Sequence, residues 1–407
     1  MTIELSSSNG PLHIIASNQP IAGTVHFSNT QNRPSGIVTV TLAGNAETSF
    51  SKGRTVYSSI ATLFTLSLTL HSGPLPKNQY SWPFHFTFPS ATSGETKKWL
   101  DVPPFQVAEG HSLPPSMVFN SEDFDNNTGK GAVTYSLQCS FSKSAKSSIF
   151  SPAESAVVVL YHIPSRKFDV PDARLAVLGK ETFTCSSKSL DPAAAAAKAK
   201  SSFFKRLKDK TPRAVFEIKI TTPHTVYVGG PLPITLALNH DLTTSTAPET
   251  PVVKLTSCTV SVLRTVHAVG RSILEEDGKF MNTEAIFERA GLDIPLSATQ
   301  NLSEILGLEG GFKTRFGMSF ATYNLAQTFK LMVKVTVECA GKPFWAELRS
   351  RNVIVLSPFT RELLEKGGGN PRALLAGMHD RAEDGSDLAA AGAGLFAAVL
   401  GIALDLI

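Results

Sequence analysis

Apolar and polar positions alternate along most of this chain. After Pro20 the residues Ile21, Val25 and Phe27 fall on one parity, and after Pro231 so do Leu232, Ile234, Leu236 and Leu238. The same period recurs at Val38, Val40 and Leu42, at Phe64, Leu66, Leu68 and Leu70, and at Trp82, Phe84, Phe86 and Phe88. It returns at Val260 and Val262, and at Phe329, Leu331, Val333, Val335 and Val337. Successive side chains of a strand point to opposite sides, so each run predicts a strand with one apolar face. Turn-rich stretches separate the runs, among them Ser72-Gly-Pro-Leu-Pro76 and Asn126-Asn-Thr-Gly-Lys-Gly131. Short amphipathic strands between turns, with few long helical patterns, predict an all-β chain of antiparallel sandwiches rather than a parallel α/β sheet.

The pattern is also duplicated. His13, Pro20 and Thr24 reappear at the same spacing as His224, Pro231 and Thr235, 211 residues later. Val133–Cys139 leads to Val157–Leu160, and Val333–Cys339 leads to Val353–Leu356 in the same way. The duplication predicts two immunoglobulin-like β-sandwich domains in tandem, at residues 1–163 and 174–358. Each half exceeds a minimal seven-stranded sandwich of about 100 residues, so extra strands and long loops are expected. Prolines at both ends of Ile163–Pro171, with charge between them, predict an extended linker at 164–173. A basic insertion interrupts the second half at about 191–212. Beyond 358 the strand signal stops, and Gly367-Gly-Gly369 with mixed charge predicts a flexible tail over 359–407.

Composition narrows the chemistry. Apolar residues make up 42% and charged residues 18% of 407, which is ordinary for a soluble globular protein. A formal charge of +4 is small for this length, so no general nucleic-acid binding is expected. The four cysteines, Cys139, Cys185, Cys258 and Cys339, include no Cys-x-x-Cys pair, which excludes zinc ribbons and thioredoxin-type motifs by spacing. Cys139 and Cys339 fall on apolar faces, where a thiol behaves as a small hydrophobe. No secretory signal is visible at the start of the sequence, and with reduced thiols this points to the cytoplasm. The sequons at Asn126 and Asn301 are then expected to be unused.

Catalytic signatures are missing. The sequence has no Gly-x-Ser-x-Gly elbow, no His-Glu-x-x-His and no phosphate loop. Its histidines are scattered without ligand spacing, and His26 and His85 occupy non-apolar faces of alternating strands. Glu122, Asp123 and Asp125 lack the glycine and later Glu of a calcium loop, and read as a solvated acidic turn. No catalytic residue, cofactor or metal is expected.

Several of these segments carry a resemblance. The Gln-Pro-Ile-x-Gly-x-Val-x-Phe stretch (Gln19–Phe27) and Val38-Thr-Val-Thr-Leu-Ala-Gly44 resemble the N-terminal domain of arrestin-like proteins. Phe84-His-Phe-Thr-Phe-Pro89, Leu113-Pro-Pro-Ser116 and the strand around Tyr135 follow in the same order. Leu-Pro-Pro-Ser before Gly-x-Val-x-Tyr-x-Leu is the most specific of these. The resemblance spans roughly residues 1–358 and is nearer to the fungal α-arrestin-related group than to visual and β-arrestins. It implies two sandwiches joined by a short hinge, acting as a non-catalytic adaptor that links membrane-protein cargo to ubiquitination or endocytic trafficking. The implied partners are cytoplasmic segments of membrane proteins and a ubiquitin ligase. Pro103-Pro104 and Pro114-Pro115 are not followed by x-Tyr, which argues against direct docking of a ligase WW domain. Phosphate sensing by a buried charge cluster is not carried over.

Two further segments carry possible function. Lys198–Lys210 holds six basic residues and one acid, a local charge of +5. Asp191-Pro192 followed by Ala193–Ala197 is a good helix start. On that helix Phe203, Phe204 and Leu207 gather on one side, with Lys198, Lys205, Arg206 and Lys208 elsewhere, and Lys200 and Lys210 complete the candidate lipid-contacting set. Such a helix suits an anionic lipid surface, each cation contributing on the order of 1 kcal/mol. The competing reading is a solvated insertion whose phenylalanines pack on the second domain. Leu388–Leu404 is uncharged for seventeen residues, at the lower limit for a membrane span, and reads better as a docking helix than as a tail anchor. Two other functional readings stand beside the adaptor: a subunit of a retromer-like sorting complex, and a β-sandwich hydrolase or carbohydrate-binding module. The last would use exposed aromatics such as Trp99 or Trp345, Trp82 being expected in the core.

Overall fold

The computed structural model describes residues 1–356 except 7–12, 94–101, 123–127, 143–154, 163, 165–174, 192–210, 229, 273–274, 297, 309–311, 313–316 and 351–352. Nearly all of the expected linker, most of the basic insertion and the tail lie outside these residues. Within them the chain is nearly all β, arranged in several sheets. The one described α-helix, α1 (Leu302–Ile305), is a single turn.

Strands β1 (Thr2–Leu5), β3 (Pro20–Asn29) and β6 (Asn78–Thr87) form a three-stranded sheet with β3 in the middle. Packed against it are β4 (Arg33–Lys52), β5 (Thr55–Leu75), β8 (Thr128–Ser142), β9 (Ser155–His162) and β2 (His13–Ile15), in the order β5-β4-β8-β9-β2. β7 (Met117–Glu122) also pairs with β8. The odd-numbered apolar positions of β3, Val25 and Phe27, meet Val40, Leu42, Phe64, Tyr135 and Leu137 in a first core from which water is excluded. A ladder of rings extends that core toward one end: Arg33 lies 4.3 Å over Phe141, which stacks on Phe27, which stacks on Trp82.

The second core is built the same way. A four-stranded sheet, β10 (Leu175–Ser186), β11 (Arg213–Pro223), β13 (Thr235–His240) and β16 (Thr299–Asn301), supplies Phe216, Ile218, Ile220 and Leu236. Opposite are β14 (Val253–Arg271), β15 (Glu275–Pro295), β17 (Phe320–Ala321), β18 (Leu325–Cys339) and β19 (Lys342–Arg349). The duplication seen in the sequence is one of topology. β2 runs parallel to β9, and β12 (Thr225–Tyr227) runs parallel to β20 (Ile354–Leu356). Each short strand then leads into the smaller sheet, through β3 and β13, while Val133–Cys139 and Val333–Cys339 lie in β8 and β18 of the larger ones.

Two stretches expected as turns are partly strand. Ser72–Leu75 completes β5, and Thr128–Gly131 opens β8. The glycines of β8 are there for packing: a Cβ on Gly129 would lie 2.3 Å from the Phe280 ring, and one on Gly131 would lie 2.2 Å from Phe119. The run Phe64–Leu70 is less buried than its alternation predicts, with Leu68 39% exposed, because this length of β5 forms a sheet edge among the described residues. Trp82 is half-buried against the first core instead of inside it, and Trp345 is 66% exposed.

Candidate functional site

The larger sheets of the two halves touch end to end through one strand bridge, Arg271 to Ser58. The halves are nevertheless interlocked. β3 and β6 are ten residues long against twenty and twenty-one for β4 and β5, so the smaller sheet is too short to cover the whole inward face that carries Ala46, Phe50, Ala61 and Phe119. The far end of the β14–β15 hairpin supplies further cover. Val266, Ala268, Phe280, Tyr323 and Leu325 all belong to the first core, although they stand more than a hundred residues beyond β9. Phe280 packs against Phe50 at 6.2 Å and Phe119 at 5.7 Å.

Polar groups fix the register of this seam. The Val269 carbonyl lies 2.6 Å from both Thr48 Oγ1 and Ser59 Oγ. Those hydroxyls are 2.8 Å apart. They hold two protons between them, so at most two of the three contacts are hydrogen bonds at once. Asn324 Nδ2 donates to the Ala46 carbonyl at 3.0 Å and to Ser59 Oγ at 2.9 Å. Val269 N–H donates to the Asn324 carbonyl at 2.8 Å. Backbones approach closely here: a Cβ on Gly270 would sit 2.7 Å from Tyr57 Cβ.

The loop 102–113 closes the opposite side of the hairpin. Phe105 buries against Val269 and Ala326, and Gln106 N–H donates to the Thr322 carbonyl at 3.2 Å. His111 Nδ1 is 2.8 Å from the Ala108 carbonyl and therefore carries the proton, leaving Nε2 to accept from Thr322 Oγ1 at 3.2 Å. Burial holds the His111 pKa below its usual value, which favours this neutral form. The tip of the second half is thus held between the first core and a loop of the first half. At its rim Lys52 pairs with Glu276 at 2.6 Å. The rim cleft, lined by Phe50, Lys52, Asp277, Lys279 and Phe280, holds only about 110 Å³. That is well below the roughly 300 Å³ of a typical small-molecule pocket.

The Leu113–Ser116 segment is a lock on the far side of the first core. Tyr135 donates its hydroxyl proton to the Pro114 carbonyl at 2.7 Å. Ser116 N–H donates to the His162 carbonyl, and His162 N–H donates to Ser116 Oγ at 2.8 Å. This segment works through packing and backbone bonds.

Two surfaces remain open. β15 is a 21-residue strand paired among the described residues only with β14, and two bulges interrupt that pairing. It carries Glu275, Glu276, Asp277, Glu284, Glu288 and Asp293 against Lys279 and Arg289, six acids to two bases. Charges and bulges of this kind oppose edge-to-edge association with a like edge. The other surface is the outward face of β7, β8, β4 and β5, where Val118, Ala132, Glu47 and Ile60 stand in one row. Glu47 is only 8% exposed, and burial raises its pKa.

The expected lipid-contacting residues, Lys198, Lys200, Phe203, Phe204, Lys205, Arg206, Lys208 and Lys210, lie outside the described residues, as does the apolar segment 388–404. The acidic turn lies there too, apart from the backbone of Glu122. All four cysteines are buried and free, and burial pushes the thiols of Cys139 to about 11 and of Cys258 and Cys339 to about 12. His26 contacts Ser81 and Glu4 on the outward face of β3. Among the described residues no group of His, Cys, Asp and Glu is placed to hold a metal, and no helix is long and apolar enough to cross a membrane. The seam residues Thr48, Ser59 and Asn324, and the carboxylate of Glu47, were not marked by any sequence motif. No protein-family model matches this chain, and no curated protein matches it by sequence.

Proposed function

We propose that this protein is a non-catalytic adaptor of arrestin-like design, with two β-sandwiches in tandem that bind cytoplasmic segments of membrane proteins and link them to ubiquitin-dependent or endocytic trafficking. The interlocked seam is the observation that carries this reading. It joins two sandwich cores into one body while leaving long strand edges and a sheet face exposed on the outside. An extended peptide can add to such an edge, with main-chain hydrogen bonds supplying affinity and alternate side chains supplying selectivity. The acidic character of β15 favours a peptide rich in Lys and Arg, as cytoplasmic segments next to membrane spans commonly are. The basic stretch Lys198–Lys210 supports placement at an anionic membrane face.

The test is co-sedimentation of the full chain with anionic vesicles across a salt series, beside a variant with Lys205, Arg206, Lys208 and Lys210 changed to Ala. Salt-sensitive binding that the variant loses is expected. Absence of binding by both proteins at low salt would remove the membrane from this reading.

A further inference from the structure

We propose that the outward sheet face centred on Glu47 docks a basic segment of a partner protein, one in which a Lys or Arg is flanked by apolar residues. The choice of partner rests on the adaptor reading, but the site rests on the geometry of the sheet. Pairing registers place Val118 of β7, Ala132 of β8, Glu47 of β4 and Ile60 of β5 side by side. The rows on either side are polar. Asn120, Lys130, Ser49 and Ser58 form one, and Thr134, Asn45 and Thr62 form the other. A single apolar row between polar rows is too narrow to be the face for a second sheet. It fits one crossing segment.

Glu47 is what makes the row specific. The residue as a whole is 8% exposed, and no hydrogen bond or ion pair to its carboxylate occurs among the described residues. Lys130 is the nearest cation by register, one row away on β8, and the two form no ion pair. The residue is largely buried while its carboxylate oxygens still meet solvent, where a cation from outside can reach them, and burial raises the Glu47 pKa. A guanidinium or ammonium from outside would supply the opposite charge and the donors together. The apolar neighbours are available to the same ligand, with Ile60 40% and Val118 44% exposed. Strands are about 4.8 Å apart, so Ile60 lies one spacing and Val118 two spacings from Glu47. Same-side residues of an extended peptide are about 7 Å apart. One cation with an apolar residue two positions to either side therefore spans the row.

The probe is a fluorescent peptide of sequence Val-Ser-Lys-Ser-Val-Ser-Lys-Ser-Val, titrated with the full chain and read by anisotropy. Saturable binding is expected, weakened about tenfold by Glu47→Gln and by replacing both peptide lysines with norleucine. Ile60→Ser is expected to weaken it several-fold. Glu47→Gln removes an unpartnered charge, so its thermal midpoint should equal or exceed the parent's, and loss of binding is then not loss of fold. Equal binding by Glu47→Gln, or no saturable binding at millimolar peptide, overturns the site. If the peptide binds only once Lys205, Arg206, Lys208 and Lys210 are changed to Ala, the chain's own basic stretch is the occupant, and a partner is not. The vesicle assay reports separately. Peptide capture without vesicle binding leaves this site standing and the membrane adaptor failing, and the converse result does the opposite.

Discussion

At the scale of single residues, His162 is where the fold opposes protonation most. Its ring is fully buried, 4.6 Å from Phe88 and 5.2 Å from Tyr135, and Nδ1–H donates to the Ile15 carbonyl at 3.2 Å. Burial lowers its pKa to about 4. The unfolded chain binds this proton near pH 6.5 and the folded chain only near 4, so between these values the unfolded state holds more protons. Stability contributed by the neutral ring is complete above pH 6.5 and is lost as pH falls toward 4, by on the order of 3 kcal/mol. The urea midpoint should therefore drop between pH 7 and pH 4.5, and His162→Gln should show a shallower drop. An identical pH profile in the variant would count against this account. Neither His162 nor Glu47 was legible as special in the sequence. Alternation states only whether a position points in or out. Glu47 points out, as expected for a charge, yet its neighbours across the sheet bury it, and those neighbours come from β5 and β8.

Elements tell a different story, because local signals fixed most of them. Strand existence and parity followed from alternation, and the two-residue loop between Cys339 and Lys342 fits a hairpin with both central residues at positive φ. Gly341 suits that turn, but Ala340 holds φ at 51°, a left-handed conformation that its Cβ disfavours. Ala340→Asn should raise stability by about 0.5–1 kcal/mol, seen as a higher thermal midpoint with unchanged circular dichroism. Glycines misled the reading elsewhere. Gly129 and Gly131 look like turn residues, yet they sit in β8 because rings from Phe280 and Phe119 lie where a side chain would be. Only the second half of the chain supplies Phe280, so no local rule could show it. Gly270 in β14 is held in the same way against Tyr57 and Phe50. Gly270→Ala and Gly129→Ala should each cost about 1–3 kcal/mol through overpacking at the seam, whereas Gly291→Ala tests only a positive φ with open space around it. Chemical denaturation of the three variants separates the two mechanisms. If Gly270→Ala is neutral, the backbone approach at the seam is not tight.

For the whole molecule, the duplication in sequence was a sound guide to topology and a poor one to where the cores end. A reading by repeats places each core within its own half. The first core instead takes Val266, Ala268, Phe280, Tyr323 and Leu325 from the other half, and the loop carrying Phe105 and His111 closes over the same hairpin. Those contacts join residues about 200 positions apart, a distance at which pattern along the chain carries no information. Their consequence is thermodynamic. Without the hairpin tip, Phe50 and Phe119 would lose the Phe280 ring that covers them, and Thr48 and Ser59 would lose the Val269 carbonyl. The two halves should therefore unfold together. Calorimetry of the full chain should give a single transition whose van't Hoff and calorimetric enthalpies agree, despite a length at which separate domain transitions are common. Thr48→Val and Asn324→Leu, which break the seam while leaving each sandwich otherwise intact, should lower that transition and split it in two. Two transitions already present in the unaltered protein would mean that the seam couples the halves only weakly, and that the molecule bends where the hairpin tip enters the first core.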